Sequence, residues 1–355
     1  MCSILTKKHY IIPIFVPHEG CPFDCVFCNQ RKITGVETGL TGREVDEQIA
    51  NYLKTIQYTK NNKVEIAFFG GSFTGISVEK QNEFLSIANK WYKKGIIDGI
   101  RLSTRPDYIN KEILLNLKKY NVSIIELGVQ SLDDEVLKKS CRGHLSIDVH
   151  RASSLIKDMG FKLGLQMMVG LPGDDLEKTI NTARKIISFN PSFVRIYPTL
   201  VIKGTKLEEL YLNGDYDPLS LSDAVEICKD LYKLFYQNDI DIIRIGLQPT
   251  DNIMEGRSVV AGPFHPAFRQ LVESAIYKDS ISIVLSQNTN KIDDIKFIVN
   301  PQNISPLVGD KKSNINYFKN KFNISRIKTL GDPNVAKDDV QIMINNEIQI
   351  ITKKL

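Results

Sequence analysis

Three cysteines, Cys21, Cys25 and Cys28, fall within the ten residues EGCPFDCVFC in the spacing CxxxCxxC. Thiolates are soft metal ligands. Three of them from one short loop can hold three irons of a cubane cluster and leave the fourth iron open to an outside ligand, whereas four-cysteine electron-transfer sites have no open position. The alternative is a zinc tetrahedron completed by His18 or a distant residue. Structural zinc loops usually draw their thiolates from CxxC pairs, and no second pair lies nearby. Six cysteines in 355 residues are too few for a disulfide scaffold, which points to a reducing, cytoplasmic setting.

Such a loop needs a scaffold, and the sequence around it has a clear rhythm. From Ile11 to about Gly246, β-branched runs alternate with segments of helical apolar spacing: IIPIFV, REVDEQIANYLKTI, VEIAFF, a helix over Glu79 to Tyr92, IRLST, SIIELGV, KLGLQMMV, FVRIYPTL and DIIRIG. This alternation predicts an α/β fold of parallel strands joined by crossover helices. Its length fits a partial or complete (β/α) barrel, with chemistry at the C-terminal ends of the strands. The rhythm breaks at LQPTDNIMEGRSVVAGPFHPAFRQ, which places a boundary near residue 250 between a barrel domain (1–250) and a C-terminal extension (251–355) carrying a small α/β unit. Residues 281–355 hold eleven Lys and Arg against seven Asp and Glu, most of the net charge of +5, so any affinity for a polyanion is expected there. The first ten residues lack an apolar core and no apolar run approaches the roughly 20 residues of a membrane helix, so secretion and membrane insertion are not expected.

The cysteine loop resembles the signature CxxxCxΦC of the radical S-adenosylmethionine (SAM) superfamily, with Phe27 as the aromatic Φ. The blocks PIFVPHEGCPFDC, FFGGSFTG, STRPD, ELGVQSLDDEVLKKSCRGH, MMVGLPG, RIYPTLVIKGTKLEELYLNGDY and RIGLQ are similar, in order, to the radical domain of the Elongator catalytic subunit family. That resemblance covers residues 10–250 and not the family's acetyltransferase domain. It implies a [4Fe-4S] cluster on Cys21, Cys25 and Cys28 that reductively cleaves SAM to a 5'-deoxyadenosyl radical. It also implies an electron donor such as flavodoxin or ferredoxin, and an RNA substrate, a tRNA or rRNA base.

Other candidate residues lie where strands end. Gly70 and Gly71 allow the backbone to pass close to a ligand, and the family's GGE segment implies the methionine amino group there, although Ser72 stands at the third position. Ser103 occupies the place of a glutamate in the family's block. Gln130 is implied to bond the ribose hydroxyls, and the planar fork of Arg142 suits the methionine carboxylate. Gln166 replaces a histidine of the Elongator family and is placed near ribose or substrate. Arg195 and Tyr197 alternate on one strand face, with Tyr197 a candidate hydrogen donor. Cys141, beside Arg142, is a candidate hydrogen-atom donor or covalent tether.

Residues 305–328 resemble a KH core in which a glycine loop precedes a helix. Only Gly309 of the two glycines is present, with Lys312 at the second place. Lys311, Lys312, Lys319 and Lys321 could meet phosphates and Tyr317 or Phe318 a base, or else Ile315, Phe318 and Phe322 form a structural cap. Two rival functions remain open at this point. One is a small-molecule, tetrapyrrole-related radical enzyme, suggested by a more distant similarity of GVQS, RGH and GLPG to oxygen-independent coproporphyrinogen oxidase. The other is a zinc-stabilised, non-catalytic RNA-binding protein.

Overall fold

The computed structural model describes residues 9–16, 25–28, 39–56, 62–247, 258–288, 292–344 and 347–352. Cys21 and His18 lie outside the described residues. In chain order the elements are β1 (His9–Val16), α1 (Gly42–Thr55), β2 (Lys63–Gly70), α2 (Val78–Lys93), β3 (Gly99–Thr104), α3 (Lys111–Lys119), β4 (Val122–Gln130), α4 (Asp134–Lys139), α5 (Ser146–Asp158), β5 (Lys162–Val169), α6 (Leu176–Ser188), β6 (Phe193–Pro198), β7 (Val201–Ile202) and α7 (Lys206–Leu212). They continue with α8 (Leu221–Gln237), β8 (Asp241–Ile245), β9 (Val259–Ala261), α9 (Phe268–Gln287), β10 (Asp294–Val299), α10 (Ile304–Val308), α11 (Ser313–Phe322), β11 (Arg326–Gly331), β12 (Asp339–Ile344) and β13 (Glu347–Thr352). The chain forms two compact units, one of residues 1–218 with 248–262, the other of 219–247 with 263–355.

In the first unit β1 to β6 lie side by side in sequence order, each parallel to the next. The sheet is open at β1, so the expected barrel is a partial one. Strand alternation divides its residues into two faces. Ile66, Phe68, Leu102, Ile125, Leu127, Leu165, Met167, Val194 and Ile196 are buried on one, the face that crossover helices cover. The other carries Glu65, Arg101, Ser103, Glu126, Gly128, Gln130, Gln166, Arg195 and Tyr197. The crossover helices start at side-chain caps. Thr41 and Glu44 form a capping box on α1, while Ser77, Asn110, Asp133 and Asp175 accept the first-turn N–H groups of α2, α3, α4 and α6. These caps fix where each loop ends, and therefore which residues face the sheet's C-terminal edge. Among the described residues no helix is long and apolar enough to cross a membrane.

The second unit packs α9, α10 and α11 on a mixed sheet ordered β11-β10-β12-β13, with β10 and β11 parallel and the others antiparallel. Its core gathers Tyr277, Ile281, Leu285, Phe297, Phe318 and Ile342, and α8 joins α9 through Lys229 Nζ and Asp279 Oδ2 at 2.7 Å. The base-stacking role considered for Phe318 is corrected here: its ring is 0% exposed in that core. Burying such a side chain stabilises by roughly 1.5–3 kcal/mol, which holds it there. Ile315 and Phe322 pack on the same core. Lys311, Lys312, Lys319 and Lys321 remain exposed.

Candidate active site

The described part of the cysteine loop is held at three points. The Val26 N–H donates to the Ser140 carbonyl at 3.2 Å, the Leu207 N–H donates to the Val26 carbonyl at 2.7 Å, and the Cys28 N–H closes a turn on the Cys25 carbonyl at 2.9 Å. Phe27 packs with Val26, Val201 and Leu207, so the aromatic of the signature anchors the loop against α7. Cys25 is 4% exposed.

Facing it is Arg142, itself 7% exposed. Its Nη1 donates to Cys25 Sγ at 3.3 Å and its Nη2 to the Gly128 carbonyl at 2.6 Å. Its Nε, also buried, has no hydrogen-bond partner among the described residues. An unpaired buried donor costs about 1–3 kcal/mol, so this one marks a place where an incoming acceptor is rewarded. Arg105 fixes the backbone beneath: its Nη2 donates to the Arg142 carbonyl at 2.6 Å and its Nε to Asp107 Oδ1 at 3.0 Å. Nearby His144 is neutral, because burial first, then the charges of Arg142 and Arg105, push its imidazole down to about 3.

Gln130 ends β4 in the left-handed region at φ 66°, where the register with β5 shifts between Gly128 and Gln130. A non-glycine residue held there is strained, and such strain gathers at functional sites. Its Oε1 accepts from Gln166 Nε2 at 3.3 Å. A Cβ on Gly128 would displace two side chains of the site, lying 2.9 Å from Arg142 Nη2 and 3.0 Å from Gln130 Nε2. Cys25, Arg142, Gln130 and Gln166 therefore share one neighbourhood at the C-terminal ends of β4 and β5. Gly70, at φ 100°, and Gly71, whose N–H donates to the Val16 carbonyl at 3.1 Å, sit at the corresponding ends of β2 and β1. Ser103 lies on β3 opposite Glu126, one layer deeper. The Cys141 side chain is exposed, one residue from Arg142, with its backbone at φ 51°.

Below this layer runs a buried ion network that sequence reading did not assemble. Glu126 Oε1 meets Arg101 Nη2 at 2.7 Å, Glu126 Oε2 meets Arg195 Nε at 2.6 Å, and Arg101 Nη1 reaches Glu65 Oε2 at 3.2 Å. Burial opposes the Glu65 charge, yet the Lys63 hydrogen bond and the charges of Arg101, Lys63 and His9 hold its carboxyl below the ordinary value. Burial likewise opposes the Arg195 charge, which Glu126 and Tyr197 restore. Arg195 Nη1 donates to the Tyr197 hydroxyl at 3.4 Å, so the two residues expected on one strand face are also partners. The available signal was Glu126 itself, a charge in the middle of the apolar run SIIELGV.

The donor set can be tested against an iron cluster from this geometry. Cys25 lies against Arg142, Cys28 closes the same turn, and among the described residues no three His, Cys, Asp or Glu ligands come together. A buried sulfur beside a guanidinium, with an unfilled donor on that guanidinium, suits an anionic cluster next to a carboxylate ligand. Residues 15–186 match the family described as the radical SAM superfamily, and residues 191–278 the radical SAM C-terminal domain. The chain belongs to the radical SAM superfamily.

Within it, the chain is 28% identical over 263 residues to a tRNA uridine(34) acetyltransferase of Methanocaldococcus jannaschii, a match covering 61% of this chain and 47% of that protein. It is 34% identical over 186 residues to Elongator complex protein 3 of Homo sapiens, covering 47% of this chain and 34% of that protein. The chain thus spans under half the length of these two relatives. An uncharacterized protein of M. jannaschii is 31% identical, with 64% of this chain and 74% of that protein covered. The solved structure of Methanocaldococcus infernus Elp3 with an N-terminal deletion shares the fold at TM-score 0.58 and 20% identity, over 96% of this chain and 76% of that one.

Proposed function

We propose that this protein is a radical SAM enzyme that modifies an RNA base, with residues 1–250 carrying catalysis and 251–355 carrying RNA contacts in the cytoplasm. Cys21, Cys25 and Cys28 would hold the [4Fe-4S] cluster, which when bound supplies the electron that splits SAM into methionine and a 5'-deoxyadenosyl radical. A small reductant protein such as flavodoxin or ferredoxin would deliver that electron. The observation that carries the reading is the convergence of buried Cys25 with Arg142, whose Nε has no partner among the described residues.

The chain's own residues then have distinct tasks. Arg142 receives the methionine carboxylate on Nε, and Gly70 and Gly71 leave room for the methionine amino group. Gln130 and Gln166 present amides to the ribose hydroxyls, with Ser103 beneath them. Phe27 holds the loop in place. Tyr197, hydrogen-bonded by Arg195, would return a hydrogen atom to substrate, with exposed Cys141 as the alternative donor or tether. The names of the tRNA uridine(34) acetyltransferases support RNA as the substrate class.

RNA binding has its own test. Replacing exposed Lys311, Lys312, Lys319 and Lys321 together by alanine should weaken tRNA binding. It should also flatten the dependence of log K on log salt by about 0.7 for each single-strand phosphate that these lysines neutralise. Filter binding across a salt series reads both. An unchanged slope would show that this surface does not carry RNA.

A further inference from the structure

We infer that Arg142 sets the reduction potential of the metal centre, by donating an N–H···S hydrogen bond to Cys25 from the same guanidinium that faces the SAM carboxylate. The inference rests on the proposed cluster site and goes beyond it. Binding a carboxylate needs only the edge of the guanidinium carrying Nε. Here Nη1 is committed to Cys25 Sγ at 3.3 Å, and Nη2 is anchored on the Gly128 carbonyl at 2.6 Å, while Nε has no partner among the described residues.

Several features enforce that orientation. Arg105, one of the largest fully buried side chains, grips the Arg142 carbonyl and is itself held by Asp107. Val26 N–H on the Ser140 carbonyl fixes the cysteine loop against the turn that carries Arg142. Gly128 supplies the gap in which Nη2 sits. A hydrogen bond and a positive charge at a ligating sulfur stabilise the more negative, reduced cluster more than the oxidised one. Arg142 therefore makes the centre easier to reduce, and Arg105 is the positioning residue that acts through it.

The test is an anaerobic redox titration of the reconstituted full chain, with dithionite as the one-electron reductant and viologen mediators, read by electron paramagnetic resonance. Only an electron moves in this step: dithionite is oxidised, the cluster takes one electron, and no bond or proton is exchanged. Iron and sulfide content are measured on each sample. Arg142→Gln, with normal cluster content, should shift the reduction equilibrium about tenfold toward the oxidised form, 59 mV for one electron. Arg142→Lys keeps the charge but cannot span Cys25 and Gly128 together, so its potential should fall between the two. Arg105→Lys should lower the potential in the same direction, and with Arg142→Lys it carries the test if Arg142→Gln assembles poorly. Loaded variants with the wild-type potential would overturn the inference and leave the cluster reading intact. A wild-type chain that takes up no iron–sulfur cluster would overturn both.

Discussion

Replacing Glu126 by alanine should destabilise the protein by about 3–5 kcal/mol, the usual cost of removing one partner from a buried ion pair. Glu126 is 5% exposed and holds Arg195, 11% exposed, and Arg101, 3% exposed. Without it, Arg101 keeps Glu65, whereas half-buried Arg195 is left over the Phe69 ring beside the Tyr197 hydroxyl. Glu126→Gln should lose most of the same stability, because the amide keeps the shape and forfeits the charge. The comparison is Glu135→Ala, which removes exposed pairs with Lys139 and Lys178 and should leave the unfolding curve in place. Urea unfolding followed by circular dichroism reads the difference. Equal curves for Glu126→Ala and Glu135→Ala would mean that the network contributes no stability.

Gly128→Ala should do the reverse, sparing the fold and removing activity. The added Cβ meets the ends of two flexible side chains, Arg142 Nη2 at 2.9 Å and Gln130 Nε2 at 3.0 Å, while its nearest backbone neighbour, the Thr104 carbonyl, is at 3.8 Å. The side chains can move aside, so the sheet survives. On the proposed reading, in which Arg142 and Gln130 hold the cofactor, that movement takes them out of position. Misplacing reacting groups by about 1 Å costs on the order of 10²-fold in rate, and a loss of that size in SAM cleavage is expected here. Paired unfolding and cleavage assays separate the effects. Full activity in Gly128→Ala would remove Arg142 and Gln130 from the site, whereas a collapse in stability would make Gly128 a packing residue.

Much of the fold could be read from the sequence because two periodicities alternate cleanly. The segment REVDEQIANYLKTI became α1, EKTINTARKIISF became α6, and VEIAFF and IRLST became β2 and β3. In the site, the cysteine spacing stood out unaided. Gln130 and Arg142 were legible only as members of a resemblance, since a lone glutamine or arginine is more often a surface group. Their meeting with Cys25 depends on a strand end, a left-handed residue and a turn that no local pattern encodes. Arg105 escaped notice because its partner is a backbone carbonyl, which has no letter in the sequence. Phe318 could be read two ways, since an aromatic next to lysines suits either a stacking platform or a packed core, and only the fold that buries it decides. The Glu126 network joins four strands, its pairs are separated by 25, 36 and 69 residues, and only the sheet brings them together.

Cleavage of SAM by the cysteine loop and the Arg142 cradle is tested most directly by anaerobic reconstitution with iron and sulfide. Dithionite reduction in the presence of SAM follows, with chromatographic detection of 5'-deoxyadenosine and Cys25→Ala alongside. Cluster-dependent 5'-deoxyadenosine is expected from the wild-type chain and none from Cys25→Ala. Stoichiometric zinc with no iron uptake and no 5'-deoxyadenosine would contradict the assignment.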